Sequence, residues 1–71
     1  MENRIMNIFL EVNLKFEYLE LNKKITELVW LRETNITDAE KVIINKQLVA
    51  MHRYSECLLE RIKLIKNEQE N

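Results

Sequence analysis

Over its 71 residues this chain has neither a glycine nor a proline, which leaves it few ways to turn. Glycine reaches backbone conformations closed to other residues, and proline fixes φ and removes a donor, so the two supply most of a protein's local punctuation. Without them the backbone favours long helices. One segment does carry the chemistry of a reversal, Thr34-Asn35-Ile36-Thr37-Asp38-Ala39-Glu40, near the midpoint. The sequence therefore predicts an all-α antiparallel two-helix hairpin. Its single domain covers residues 1–71, with helices at about 3–33 and 38–67, a turn at 34–37 and a frayed tail at 68–71.

The second helix has the plainer pattern. Ile44, Leu48, Met51, Ser55, Leu58, Ile62 and Ile65 recur at alternating intervals of four and three, the spacing of a packed helical seam. Tyr54 and Leu59 are expected to flank and widen that seam, with Tyr54 and Met51 in the core. Arg53, Glu56, Glu60 and Lys63 fall on the solvated side. Ser55 is the one weak layer, where a hydroxyl can bond back to a preceding carbonyl at small cost.

The start of this helix is marked by a capping box. The Thr37 hydroxyl can accept from the Glu40 amide while the Glu40 carboxylate reaches back, and Asp38 places negative charge at the positive end of the helix dipole. A hydrophobic staple is not evident, because Ile36 would face Lys41. Asn35 is the expected left-handed residue closing the first helix, since asparagine tolerates that conformation better than most.

The first helix carries more apolar surface than one partner can cover. Leu10, Leu14, Tyr18, Leu21, Ile25 and Leu28 share one face; Ile5, Phe9, Val12, Phe16 and Leu19 share another, more than ~100° away. Trp30 lies near the extension of this second face and reads equally as an interface residue or as filler at the mouth of a small core. Ile5, Phe9, Val12, Phe16, Leu19 and Trp30 are accordingly the candidate partner-binding residues. A rival reading exists for Val12-Asn13-Leu14-Lys15-Phe16-Glu17-Tyr18, whose strict alternation would suit a strand paired across a dimer.

Chains this short bury only about 60% of their unfolded surface, so a staple or a partner is usually needed. Cys57 is the single cysteine and can form no internal disulfide. Extra buried area is thus expected from self-association, completing a helical bundle, or from a protein partner. A net charge of −1 without a basic stripe argues against nucleic acid. The longest apolar run, Leu28-Val29-Trp30-Leu31, is far short of the ~20 residues of a membrane span. The start, Met1-Glu2-Asn3-Arg4, has no signal-peptide pattern, and with a lone thiol it points to the cytoplasm. Asn35-Ile36-Thr37 fits a glycosylation sequon, which has no meaning without export.

Little in the chain suggests catalysis or metal binding. His52 and Cys57 are five residues apart on one helix, roughly 140° around its axis, so they do not form a nucleophile–base pair. The acidic residues include no carboxylate at the Glu-x-x-His spacing of di-metal bundles. Glu11–Lys15 and Glu20–Lys24 read as ordinary surface pairs. No catalytic, cofactor or metal residue is assigned.

Asn35-Ile36-Thr37-Asp38-Ala39-Glu40 followed by Asn45-Lys46-Gln47-Leu48-Val49 resembles the small two-helix sporulation phosphatases of bacilli over about 20 residues. The resemblance implies a phosphatase acting on a bacterial response regulator. Asn45, however, stands where those proteins have serine and Val49 where they have aspartate, so no catalytic residue is carried over. In size and hairpin shape the chain is also similar to the small co-chaperones of type III secretion needle subunits. The function expected from the residues is that of a non-catalytic adaptor, regulator or co-chaperone acting through apolar helix faces. The alternatives are the response-regulator phosphatase and a purely structural self-assembling bundle.

Overall fold

The computed structural model describes the backbone of residues 2–70 and the side chains of residues 6–67. Two helices account for nearly all of it: α1 (Glu2–Arg32) and α2 (Asp38–Glu70), packed against each other as a hairpin. Residues 12–18 are helical, so the strand reading of that segment is set aside. α1 closes one residue short of the expected boundary. α2 continues through Glu68, Gln69 and Glu70, where the sequence suggested fraying; glutamate and glutamine are good helix formers and no breaker follows Lys66.

The hairpin is held by one apolar seam. Leu14, Leu21 and Ile25 of α1 are buried against Ile44, Leu48, Leu58, Ile62 and Ile65 of α2, with Tyr18, Leu28, Val29, Ile36 and Met51 partly buried around them. Every member of the seam expected on α2 is there, and Ser55 is the one polar side chain buried in it among the described residues. Tyr54 and Leu59 depart from expectation: at 47% and 37% exposure they lie outside the seam. The seam is one residue wide at each layer, and a second helix alone cannot cover its flanks. Leu10, on the expected core face, is 42% exposed, at the border of the seam and not within it.

The turn works without a left-handed residue. No described residue has positive φ, so Asn35 does not take the conformation expected of it. The last turn of α1 instead tightens, with the Glu33 amide donating to the Trp30 carbonyl at 3.1 Å and the Thr34 amide to Leu31 at 3.0 Å. The Thr34 hydroxyl also donates to the Leu31 carbonyl at 2.6 Å. The Ile36 amide then bonds the Thr34 carbonyl at 2.9 Å, a three-residue turn centred on Asn35. Ile36 is thereby folded onto the core instead of facing solvent beside Lys41.

Thr37 then caps α2. Its hydroxyl accepts from the Glu40 amide at 3.2 Å and its carbonyl from the Lys41 amide at 3.0 Å. The forward half of the capping box is formed; the return bond from the Glu40 carboxylate is not among the hydrogen bonds made. Across the mouth of the hairpin Arg32 Nη1 donates to Asn45 Oδ1 at 2.9 Å, which fixes the antiparallel register at that end.

A hairpin of two long helices is a rod. It measures 54 × 15 × 14 Å with a radius of gyration of 16.3 Å, against about 11 Å for a compact domain of this length. It exposes 5962 Å², where a compact protein of 8.7 kDa exposes about 4,700 Å². The difference, roughly 1,200 Å², is surface that a third layer would ordinarily cover.

The seam assignment is checked by a contrast between neighbours. Leu58 is fully buried and Leu59 is not; Leu58→Ala is expected to cost about 2–5 kcal/mol and Leu59→Ala under about 1 kcal/mol in urea or thermal melts. Equal losses would mean that α2 is rotated about its axis. For the turn, Thr37→Ala is expected to lose about 1 kcal/mol, and an unchanged melt would place the start of α2 elsewhere.

Candidate functional site

The apolar surface left over lies mainly on α1. At 100° per residue, Phe9, Val12, Phe16, Leu19, Lys23, Thr26 and Trp30 fall in one stripe, centred about 180° from the Leu14–Leu21–Ile25 face that meets α2. Their intervals alternate three and four, as the packed seam on the other side does. The stripe is thus a second seam with nothing on it in a single chain. Phe9 is 66% exposed, Phe16 64%, Leu19 63%, Trp30 70% and Val12 41%. Ile5, the remaining candidate from the sequence, has its side chain outside the described residues.

One shallow hollow lies on this stripe and a second lies beside its start, sharing Phe9 with it. The first, of about 200 Å³, is lined by Val12, Lys15, Phe16 and Leu19. These are positions i, i+3, i+4 and i+7 of one helix, the four-residue hole into which a side chain of a facing helix fits. The other, of about 330 Å³, lies a turn or two earlier and is lined by Met6, Asn7, Phe9, Leu10 and Asn13. Lys15 stands at the rim of the first hollow, with Nζ 3.5 Å from Glu11 Oε2. A third hollow of about 300 Å³ is a groove between the helices near the turn, lined by Lys24, Glu27, Leu28, Leu31, Gln47 and Met51.

Trp30 sits on the outer stripe near the turn. It is not a plug in the core mouth; Val29 and Ile36 do that work, and the sequence reading missed both. Val29 was hidden in the run Leu28-Val29-Trp30-Leu31, where adjacent apolar residues give periodicity little to separate. α2 adds scattered apolar exposure at Val42, Ile43, Val49 and Leu64. Asn45, the residue in the place of the phosphatase serine, is engaged by Arg32, and Val49 is 55% exposed.

Cys57 is an exposed free thiol, and His52 is exposed on a different side of α2. No group of three or more metal-ligating side chains occurs among the described residues, and no described helix is long and apolar enough to cross a membrane.

One protein family matches this chain, under the description Sequestin, over residues 9–64. The chain belongs to the Sequestin family. The matched region takes in most of both helices, the turn, the buried seam and the outer stripe from Phe9 to Trp30. No curated protein and no solved structure gives a significant match.

Proposed function

We propose that this member of the Sequestin family is a small non-catalytic binding protein, of the adaptor, regulator or co-chaperone kind, that acts through apolar helix faces. The observation that carries the reading is the outer stripe of α1: large apolar side chains, regularly spaced, facing directly away from the core that joins the two helices. Monomeric proteins rarely leave continuous apolar surface of more than a few hundred Å² uncovered. With Phe9, Phe16 and Trp30 each exposing on the order of 100–170 Å², and Val12 and Leu19 adding to them, this stripe reaches that range. It is the contact surface through which association completes the hairpin into a helical bundle.

The family's name speaks of sequestering, and sequestration asks for this kind of molecule. Withholding a partner needs affinity and stoichiometry, not turnover. It also suits a cytoplasmic chain whose only thiol is unpaired. The phosphatase alternative needs a carboxylate about where Val49 presents an exposed isopropyl group.

Two substitutions separate the faces. Phe16→Asp is expected to abolish capture of a partner, read by pull-down and mass spectrometry, while helicity by circular dichroism stays near that of the parent chain. Leu48→Asp strands a charge in the buried seam and is expected to unfold the hairpin. A Phe16→Asp chain that captures the same partner as the parent sinks the proposal. A parent chain that binds only itself leaves the purely structural bundle.

A further inference from the structure

We infer that the occupant of the outer stripe is a second copy of this chain, with the two α1 helices side by side, parallel and in register. This rests on the binding surface proposed above, so pairing and partner capture compete for one face. The dimer is the form in which the free chain keeps its stripe covered until a partner displaces the second copy. Four features of the molecule support it.

The first is area. The chain exposes 5962 Å², roughly 1,200 Å² more than a compact protein of its mass. A stable interface covers about 800 Å² on each partner. The stripe and its flanks supply an amount of that order, and they do so on one straight face.

The second is shape. The hollow lined by Val12, Lys15, Phe16 and Leu19 is a hole of the kind a helix offers to a knob from its neighbour. In a parallel, in-register pair the knob entering it is Phe16 of the other copy, and the fit is reciprocal about a two-fold axis.

The third is charge. Lys15 precedes the Phe16 layer and Glu20 follows the Leu19 layer, five residues apart on the two borders of the stripe. Parallel pairing sets Lys15 of each copy against Glu20 of the other, the flanking ion pairs that fix orientation in two-stranded helical assemblies. Antiparallel pairing over Phe9–Leu19 instead brings Lys15 against its own copy, which is repulsive. Lys15 already holds Glu11 at 3.5 Å, but its side chain is 47% exposed and has three donors, so it can serve both carboxylates.

The fourth is Lys23, which interrupts the stripe between Leu19 and Thr26. A single lysine within an apolar seam disfavours higher assemblies, where it would be buried, and is tolerated in a pair, where its stem packs and its ammonium reaches water.

The test uses the full chain with Cys57 kept reduced. Trp30 is the only tryptophan, and parallel pairing brings the two copies of it together at the turn end. Its emission is expected to shift to shorter wavelength as concentration rises through the micromolar range, in step with dimer formation by sedimentation equilibrium. Lys15→Glu and Glu20→Lys are each expected to weaken dimerisation roughly tenfold, while the Lys15→Glu/Glu20→Lys double variant returns to within about threefold of the parent. Circular dichroism on dilute samples reads any change in helicity separately, and Glu20→Lys leaves the Glu11–Lys15 pair in place.

A double variant as weak as the worse single one overturns the parallel register. A chain that sediments as one 8.7 kDa protomer throughout, with unchanged Trp30 emission, overturns the dimer. If that monomer still captures a partner through Phe16, only the dimer is lost. If the dimer forms but Phe16→Asp captures a partner as before, only the partner-binding reading is lost.

Discussion

Burial of the Leu14–Leu21–Ile25 face of α1 against the Ile44–Leu48–Leu58–Ile62–Ile65 face of α2 holds the two helices together, and no second layer shares the load. Neither helix is secured by local propensity alone, since isolated helices in water are marginal even at favourable composition. A single seam also sets what remains uncovered. Each helix can turn only one face toward the other, so any apolar residue outside the two facing stripes stays in water. On α2 that residue set is scattered. On α1 the largest part of it, from Phe9 to Trp30, is ordered and mirrors the seam on the opposite side, while Met6, Leu10 and Leu31 lie off that line.

The turn shows how a chain reverses without glycine. Five residues separate Arg32 from Asp38, and the carbonyls left open at the end of α1 are taken by short-range donors instead of by a left-handed residue. Thr34 contributes twice, through its amide and its hydroxyl, both to Leu31. Ile36 is drawn into the core between two threonines, one ending α1 and the other starting α2. The Arg32–Asn45 bond ties the second turn of α2 back to the last turn of α1. These bonds are individually modest, of about 1 kcal/mol net, yet they fix which layers of the two helices face each other.

Much of this architecture was legible in the sequence because long periodic segments are the strongest local signal a chain carries. The seam of α2 could be read from Ile44 to Ile65 without error in its buried members. What could not be read was breadth. Tyr54 and Leu59 look like core residues when periodicity alone is considered, because a helix facing several neighbours would bury them; a helix facing one neighbour does not. Leu10 departs for a similar reason: it lies at the border of the face that meets α2, about 40° from Leu14, and one neighbour leaves it half open. Asn35 failed because propensity for a left-handed cap says what a residue tolerates, not what the next residues require, and the burial of Ile36 set the path of the chain. The outer stripe was visible from Phe9 to Leu19. Trp30 could be placed near its extension, but the intervening Lys23 and Thr26 read as ordinary surface until their position between two apolar turns is known.

The uncovered stripe joins the fold to the proposed function. A hairpin with a finished surface would gain little from association, and one with a random apolar surface would aggregate. Here the surplus is narrow, straight and bordered by charge, which allows a close approach along one line and resists others. Energy and selectivity then come from different residues. Phe9, Phe16 and Trp30 offer the area that drives contact, as aromatic side chains at the centre of interfaces commonly do. Lys15 and Glu20 add little affinity, since exposed ion pairs contribute at most about 1 kcal/mol each, but on the proposed pairing they make one orientation attractive and the reverse repulsive. On the proposed reading, association and function are carried by the same face of α1.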